Sequence, residues 1–301
     1  MQLPAVNAIW IGPELGPIHI ACLRSFLRHG HRVVLHCYER PKGATKDIEI
    51  ADANKLLPAS REIRYRDCLA GGGLSLFSNL LRYELLRAGL GLYVDCDVFC
   101  LRPIEDSDYI FGWETKKLIN NAVLKLPADC PVLAALSAIK DTPHFVPPWQ
   151  KKDRRRLEWL RRRVVRPLPL EDLPWGTTGP KALTYYAKQH GIAHLASPID
   201  RFYPLHWDQA QLLLDPALPL DALTTPRTDA IHLYASSMAR FTCNGMPPHS
   251  PLWQISQLGT KTEGVRTSRC VRSSSTSDAI LAKEARLHSE PRPKALGLPV
   301  L

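Results

Sequence analysis

The chain has 301 residues, 45% of them apolar and 8% aromatic. That apolar share excludes wholesale disorder, and the lack of any run of about 18 apolar residues excludes a transmembrane helix. Its first twelve residues carry neither the basic start nor the apolar core of a secretory signal, so a cytoplasmic protein is expected. The eight cysteines (Cys22, Cys37, Cys68, Cys96, Cys100, Cys130, Cys243 and Cys270) form no C-x-x-C pair. Reduced, partly buried thiols are expected, and no structural zinc site.

Net charge is +10, but two segments hold it. The stretch from Lys151 to Arg166 has nine basic and two acidic residues, and residues 260–301 have eight and four. The remainder is close to neutral. The first stretch (KKDRRRLEWLRRRVVR) spaces Leu157, Leu160 and Val164 helically. It suits a solvated helix, or a patch that meets an anionic membrane surface or a phosphate-bearing substrate. No recognised nucleic-acid module accompanies it, so no nucleic-acid partner is expected. The tail is rich in Ser, Thr, Arg and Pro and poor in anchors. It is expected to be disordered beyond about residue 258, with at most a short helix at 278–288.

In chain order, residues 5–11 are an apolar run stopped by Gly12-Pro13, which suits a buried strand. Residues 18–29 are apolar at helical spacing and end at Gly30. Residues 32–38 are a second, β-branched strand. This β-α-β opening predicts a parallel pair in an α/β fold. A third strand is expected at 63–66 and a glycine loop at 71–73. A helix at 76–88 before Gly89 and a short buried strand at 92–94 follow. Strands are predicted at 109–113, 119–126 and 230–234, and helices at 131–139 and 181–189.

The sharpest feature is Leu92-Tyr93-Val94-Asp95-Cys96-Asp97-Val98. Two carboxylates one residue apart end an apolar strand. In extended backbone, i and i+2 point to the same side. Like charges held so would repel and raise a pKa. A hard divalent cation, Mn²⁺ or Mg²⁺, removes the conflict and keeps positions open for phosphate. On the preceding helix, Asn79 and Arg82 are three residues apart and so share a face. They are expected to reach toward Asp95, where a guanidinium fork and an amide suit hydroxyls and a diphosphate.

Two segments, F-S-N-L-L-R-Y-E-L-L at 77–86 and G-L-G-L-Y-V-D-C-D-V-F-C-L-R-P at 89–103, resemble glycosyltransferase family 32, the DXD-containing sugar-binding family. That family includes bacterial capsule and lipopolysaccharide transferases, yeast mannosyltransferases and α1,4-galactosyltransferases. I-W-I-G at 9–12, W-G-T-T-G-P at 175–180, F-Y-P-L at 202–205 and I-H-L-Y at 231–234 are similar to further family pieces. The resemblance covers about residues 5–255. Departures are Gly89-Leu90-Gly91 for the family's Gly-Gly, Asn79 for a frequent aspartate, and Tyr234-Ala235 for Trp-Asn.

The resemblance implies a GT-A type, Rossmann-like mixed sheet flanked by helices, in one domain over residues 1–258. It also implies a nucleotide-sugar donor, with a UDP-sugar the first expectation, and retention of anomeric configuration. Asp95 would face ribose and sugar, and Asp97 would hold Mn²⁺. Arg82 and Asn79 would contact donor hydroxyls or phosphate, and Asn121 the sugar or acceptor. His232 would close the metal site, and Trp10 would stack the base. The acceptor would be a glycan or lipid-linked glycan, and the setting cell-surface polysaccharide synthesis, with the enzyme cytoplasmic or peripheral on the inner membrane face. The sequence shows no separate nucleophile. Two alternatives stay open: a haloacid-dehalogenase-like phosphatase using Asp95, and a basic protein that binds an anionic surface or nucleic acid.

Overall fold

The computed structural model describes residues 2–66, 72–142, 145–150, 169–238 and 245–260. The basic stretch from Lys151 to Arg166, the tail with its expected helix, and Cys68, Cys243 and Cys270 lie outside the described residues. Cys22, Cys37, Cys96, Cys100 and Cys130 are free and buried.

The chain opens as predicted, with β1 (Val6–Trp10), α1 (Pro17–Arg28) and β2 (Val33–Cys37), and β1 and β2 pair in parallel. Pro17 opens α1, where its missing N–H costs nothing, and Gly30 at φ +86° turns the chain out of it. The third strand is not residues 63–66. Those residues have no ladder: the Tyr65 N–H donates to the Gly73 carbonyl and the Arg66 N–H to that of Glu171. The third strand is instead β3 (Glu49–Asp52), parallel to β2. Its Glu-Ile-Ala-Asp sequence lacks an apolar run because it forms a half-exposed sheet edge.

Helix α2 (Ser75–Arg87) leads through Gly89, at φ +66°, to β4 (Leu92–Val94). Then come β5 (Val98–Cys100), β6 (Ile110–Trp113), β7 (Ile119–Lys125), α3 (Pro131–Ser137) and α4 (Ala182–Gln189). A short helix α5 (Ile199–Phe202), strand β8 (Ala230–His232), a turn of helix α6 (Ala235–Met238) and α7 (Pro251–Thr260) complete the order. Sequence patterning anticipated neither β5 nor α7. Helix α7 packs along α1, burying Leu252 and Ile255.

Six strands form one mixed sheet in the order β3-β2-β1-β4-β7-β6, parallel from β3 to β4 and antiparallel beyond. Strands β5 and β8 pair separately as an antiparallel two-stranded sheet. This is an α/β fold. Strand alternation sends Val6, Ala8, Leu92 and Val94 to the face packed with Leu23 and Phe26 of α1. Ile9 and Tyr93 go to the face covered by α2, α3 and α4. The chain runs from β1 outward to β3, then returns to the other side of β1 with β4. The carboxyl ends of β1 and β4 therefore flank the reversal of strand order, where open α/β sheets leave a crevice for ligands. Among the described residues, no helix is long and apolar enough to cross a membrane.

Candidate functional site

Asp95 is the first residue past β4. Alternation puts it on the side of Tyr93, facing α2, and that is where its partners are. Arg82 donates through one terminal nitrogen to Asp95 Oδ1 at 2.6 Å and to the Tyr93 hydroxyl at 3.1 Å. The Tyr93 hydroxyl in turn donates to Asp95 Oδ1 at 2.5 Å. The guanidinium carbon also lies 4.3 Å from the centre of the Tyr93 ring. Burial disfavours charge on Arg82, but the Asp95 carboxylate and the tyrosine oxygens more than restore it, so it stays protonated.

Behind this pair lies a buried polar network. The other terminal nitrogen of Arg82 donates to Asn79 Oδ1 at 2.7 Å, as their spacing predicted. Asn121 Nδ2 donates to the same oxygen at 2.9 Å, and Asn79 Nδ2 donates to Thr178 Oγ1 at 3.2 Å. The Tyr65 hydroxyl lies 3.0 Å from Thr178 Oγ1, and the Tyr83 hydroxyl donates to the Thr178 carbonyl at 2.7 Å. Arg82 is only 4% exposed. It is turned inward on protein acceptors and orients Asp95, rather than standing as a free fork.

The tight turn at Thr177–Lys181 brings Thr178 to this wall. Gly179 sits there at φ −102°, ψ −117°, and a Cβ on it would fall 2.9 Å from Asn79 Nδ2 and 3.3 Å from Asn121 Nδ2. The neighbouring Asn120 takes no part. Its Oδ1 accepts the Ala122 N–H at 2.8 Å, a local bond on the opposite face of β7.

Asp97 is held differently. Asp95-Cys96-Asp97 is a turn, closed by the Val98 N–H donating to the Asp95 carbonyl at 3.1 Å. The i, i+2 rule therefore relates Asp95 to Tyr93 and does not bring the two aspartates together; the turn does. Pairing of β5 with β8 sets Val98 opposite His232. His232 Nε2 then lies 3.2 Å from Asp97 Oδ1, and the Ala235 N–H donates to Asp97 Oδ2 at 2.9 Å.

Mutual repulsion was expected to raise a carboxyl pKa in this pair, and for Asp97 the opposite holds. Burial pushes its carboxyl up, but His232 and the Ala235 N–H hold it well below the usual carboxylate range. For His232, burial acts downward, yet the facing Asp97 carries the imidazole above its ordinary value, with help from Asp95 and Glu114.

Asp95, Asp97 and His232 each offer one ligand atom, and these atoms lie within 4.8 Å of one another. The two carboxylate oxygens suit Mn²⁺ or Mg²⁺, and the imidazole nitrogen tilts the set toward a transition metal. Cations of this kind take oxygen ligands at about 2.1 Å, so the three atoms would have to draw closer to share one ion. Trp10 stands at the end of β1, its ring 4.6 Å from that of His19, and makes no bond to the carboxylates. The indole and imidazole nitrogens Trp10 Nε1 and His19 Nδ1 are buried without partners among the described residues.

The structure thus gathers Asn79, Arg82, Asp95 and Asn121 in one network and Asp95, Asp97 and His232 in one cluster. Trp10 sits alongside. Sequence reasoning gave no role to Tyr93, Tyr65 or Glu114, and met Thr178 and Tyr234 only as members of segments resembling the family. Tyr93 had a local signal, being two residues before Asp95 on a buried strand. No protein-family model matches the chain, and no curated protein matches it either.

Proposed function

We propose that the protein is a metal-dependent, retaining glycosyltransferase of the GT-A type, similar to glycosyltransferase family 32. It would move a hexose from a nucleotide-sugar to a hydroxyl of a glycan or lipid-linked glycan. One observation carries this reading: two carboxylates and an imidazole converge where strand order reverses, and a buried arginine fixes one of the carboxylates.

Breaking a glycosyl–phosphate bond builds negative charge on the leaving diphosphate. A divalent ion held by Asp95, Asp97 and His232 would neutralise that charge as a Lewis acid. The protein's own part is pre-organisation. The Ala235 N–H holds Asp97 Oδ2, and Arg82 with Tyr93 fixes the orientation of Asp95. Asn79, Asn121 and Thr178 form a polar wall beside Asp95 suited to sugar hydroxyls. The acceptor hydroxyl would then attack the oxocarbenium-like carbon from the leaving-group face as the glycosyl–phosphate bond breaks, its proton passing to the departing diphosphate. The charge of the stretch from Lys151 to Arg166 favours an acceptor at an anionic membrane surface.

The test is a panel of UDP- and GDP-sugars scored for hydrolysis without acceptor, with and without Mn²⁺. One donor should be hydrolysed only with the metal, with its anomeric configuration retained. Asp97→Asn should abolish that turnover. Metal-independent release of phosphate from a simple monoester, with no donor hydrolysed, would reject the proposal.

A further inference from the structure

Glu114 follows β6 and is 7% exposed, so its carboxylate is buried. Among the described residues it takes one side-chain hydrogen bond, from the Tyr234 hydroxyl at 3.0 Å, and its charge also acts on the nearby His232. A buried carboxylate with a single hydrogen bond is worth a reason. The Glu114 backbone is itself anchored, its N–H donating to the Leu118 carbonyl at 2.9 Å.

Tyr234 is also under constraint. Its φ of +51° lies in the left-handed region, where a bulky side chain is strained and persists only if its surroundings hold it. The turn it makes has a product. Two residues earlier, His232 meets Asp97 Oδ1, and one residue later the Ala235 N–H meets Asp97 Oδ2. The Tyr234 ring lies on the His232 ring, with centroids 4.1 Å apart.

His232 needs that contact. A metal-binding histidine is ordinarily oriented by a hydrogen bond at its second ring nitrogen. Here Nδ1 is buried with no partner among the described residues. Ring packing must therefore fix the imidazole plane, and Tyr234 supplies its nearest ring.

We propose that Glu114 is a positioning residue: by holding the Tyr234 hydroxyl it clamps residues 232–235, so that His232 and the Ala235 N–H bear together on Asp97 and set the affinity of the cation site. This rests on reading Asp95, Asp97 and His232 as a cation site. The clamp crosses between the two sheets, since Glu114 trails the six-stranded sheet and Tyr234 trails β8 of the other.

The experiment is Mn²⁺ titration of the full chain, followed by electron paramagnetic resonance of the free ion, with folding checked by circular dichroism. Glu114→Ala and Tyr234→Phe should each weaken Mn²⁺ binding about tenfold, the scale of outer-sphere effects on metal sites. The double variant should be no weaker than either single, because both remove one interaction. Glu114→Gln should keep near-native affinity, since its amide oxygen still accepts the hydroxyl. Should Glu114→Ala fail to fold, Tyr234→Phe decides, because it removes one oxygen and keeps the ring. Native Mn²⁺ affinity in Tyr234→Phe, with binding lost in Asp97→Asn, would overturn the clamp and leave the cation site standing. Glu114→Gln as weak as Glu114→Ala would also overturn it. Native affinity in Asp97→Asn would instead remove the cation site itself.

Discussion

The two aspartates sit one residue apart in the chain and are held by opposite means. Asp95 belongs to the large sheet, and its partners are side chains: Arg82 and Tyr93, backed by Asn79, Asn121 and Thr178. Asp97 belongs to the small sheet and leans on the backbone. The Ala235 N–H takes one oxygen, the Leu233 N–H donates to the Asp97 carbonyl at 2.9 Å, and one imidazole completes the set. The first half depends on which residues are present, because each network member satisfies another's buried polar atom. The second depends on where the chain goes after β8. A site assembled this way joins a rigid wall to a corner whose position is set by a turn.

The sharpest way to break this contrast is Arg82→Ala. It strands Asp95, Tyr93 and Asn79 together. Breaking a buried pair costs about 3–5 kcal/mol, and because the Asp95 side chain is 28% exposed the lower end is expected, about 3 kcal/mol in urea unfolding. A loss under about 1 kcal/mol would mean that the Asp95 half is not a network. Tyr93→Phe is milder. It deletes one hydroxyl that bonds two charged groups, and should cost about 1–2 kcal/mol while leaving Mn²⁺ affinity closer to native than Tyr234→Phe does. If Tyr93→Phe proved the more damaging to metal binding, the division between a structural half and a tunable half would be wrong.

The smallest effect separates the site from the frame around it. His31 is 3% exposed, its Nε2 accepts the Ile104 N–H at 3.1 Å, and its Nδ1 lies 3.1 Å from the Pro4 carbonyl. That pattern requires a neutral ring with its proton on Nδ1. Burial pushes the His31 pKa down, partly opposed by the Pro4 bond, so the folded value lies below the unfolded one near 6.5. His31 therefore adds stability fully present above about pH 6.5, and lost as pH falls through the folded value. Urea unfolding at pH 7.5 and pH 5 should show the native protein losing more stability on acidification than His31→Gln. Equal losses would remove His31 from the frame.

Much of the Asp95 half was legible in the sequence because it is local. Asn79 and Arg82 share a helix face, Tyr93 and Asp95 share a strand face, and one loop connects the two elements. For the Asp97 half the family resemblance named His232 but the geometry was not legible, because it comes from pairing Val98 with His232 across more than a hundred residues. No local period records that pairing, and the tiny strand β5 read as the mere end of a motif. The same distance hid the sign of the Asp97 shift. Local pattern showed only the neighbouring Asp95 charge; His232 entered through the family resemblance, without its distance to Asp97, and what it outweighs there is burial. Edge strand β3 escaped for a different reason, since a half-wet edge does not need an apolar run. Glu114 carried no signal at all: alone after a strand, it looks like any surface acid until Tyr234 covers it.

The tight approach of Gly179 to the amides of Asn79 and Asn121 leaves room there for a hydrogen atom and no more. Any larger substituent would wedge the two amides apart and, through Asn79, pull on the arginine behind them. Attempts to reshape this wall therefore have no freedom at this position, and would have to work from Thr178 or from the asparagines themselves.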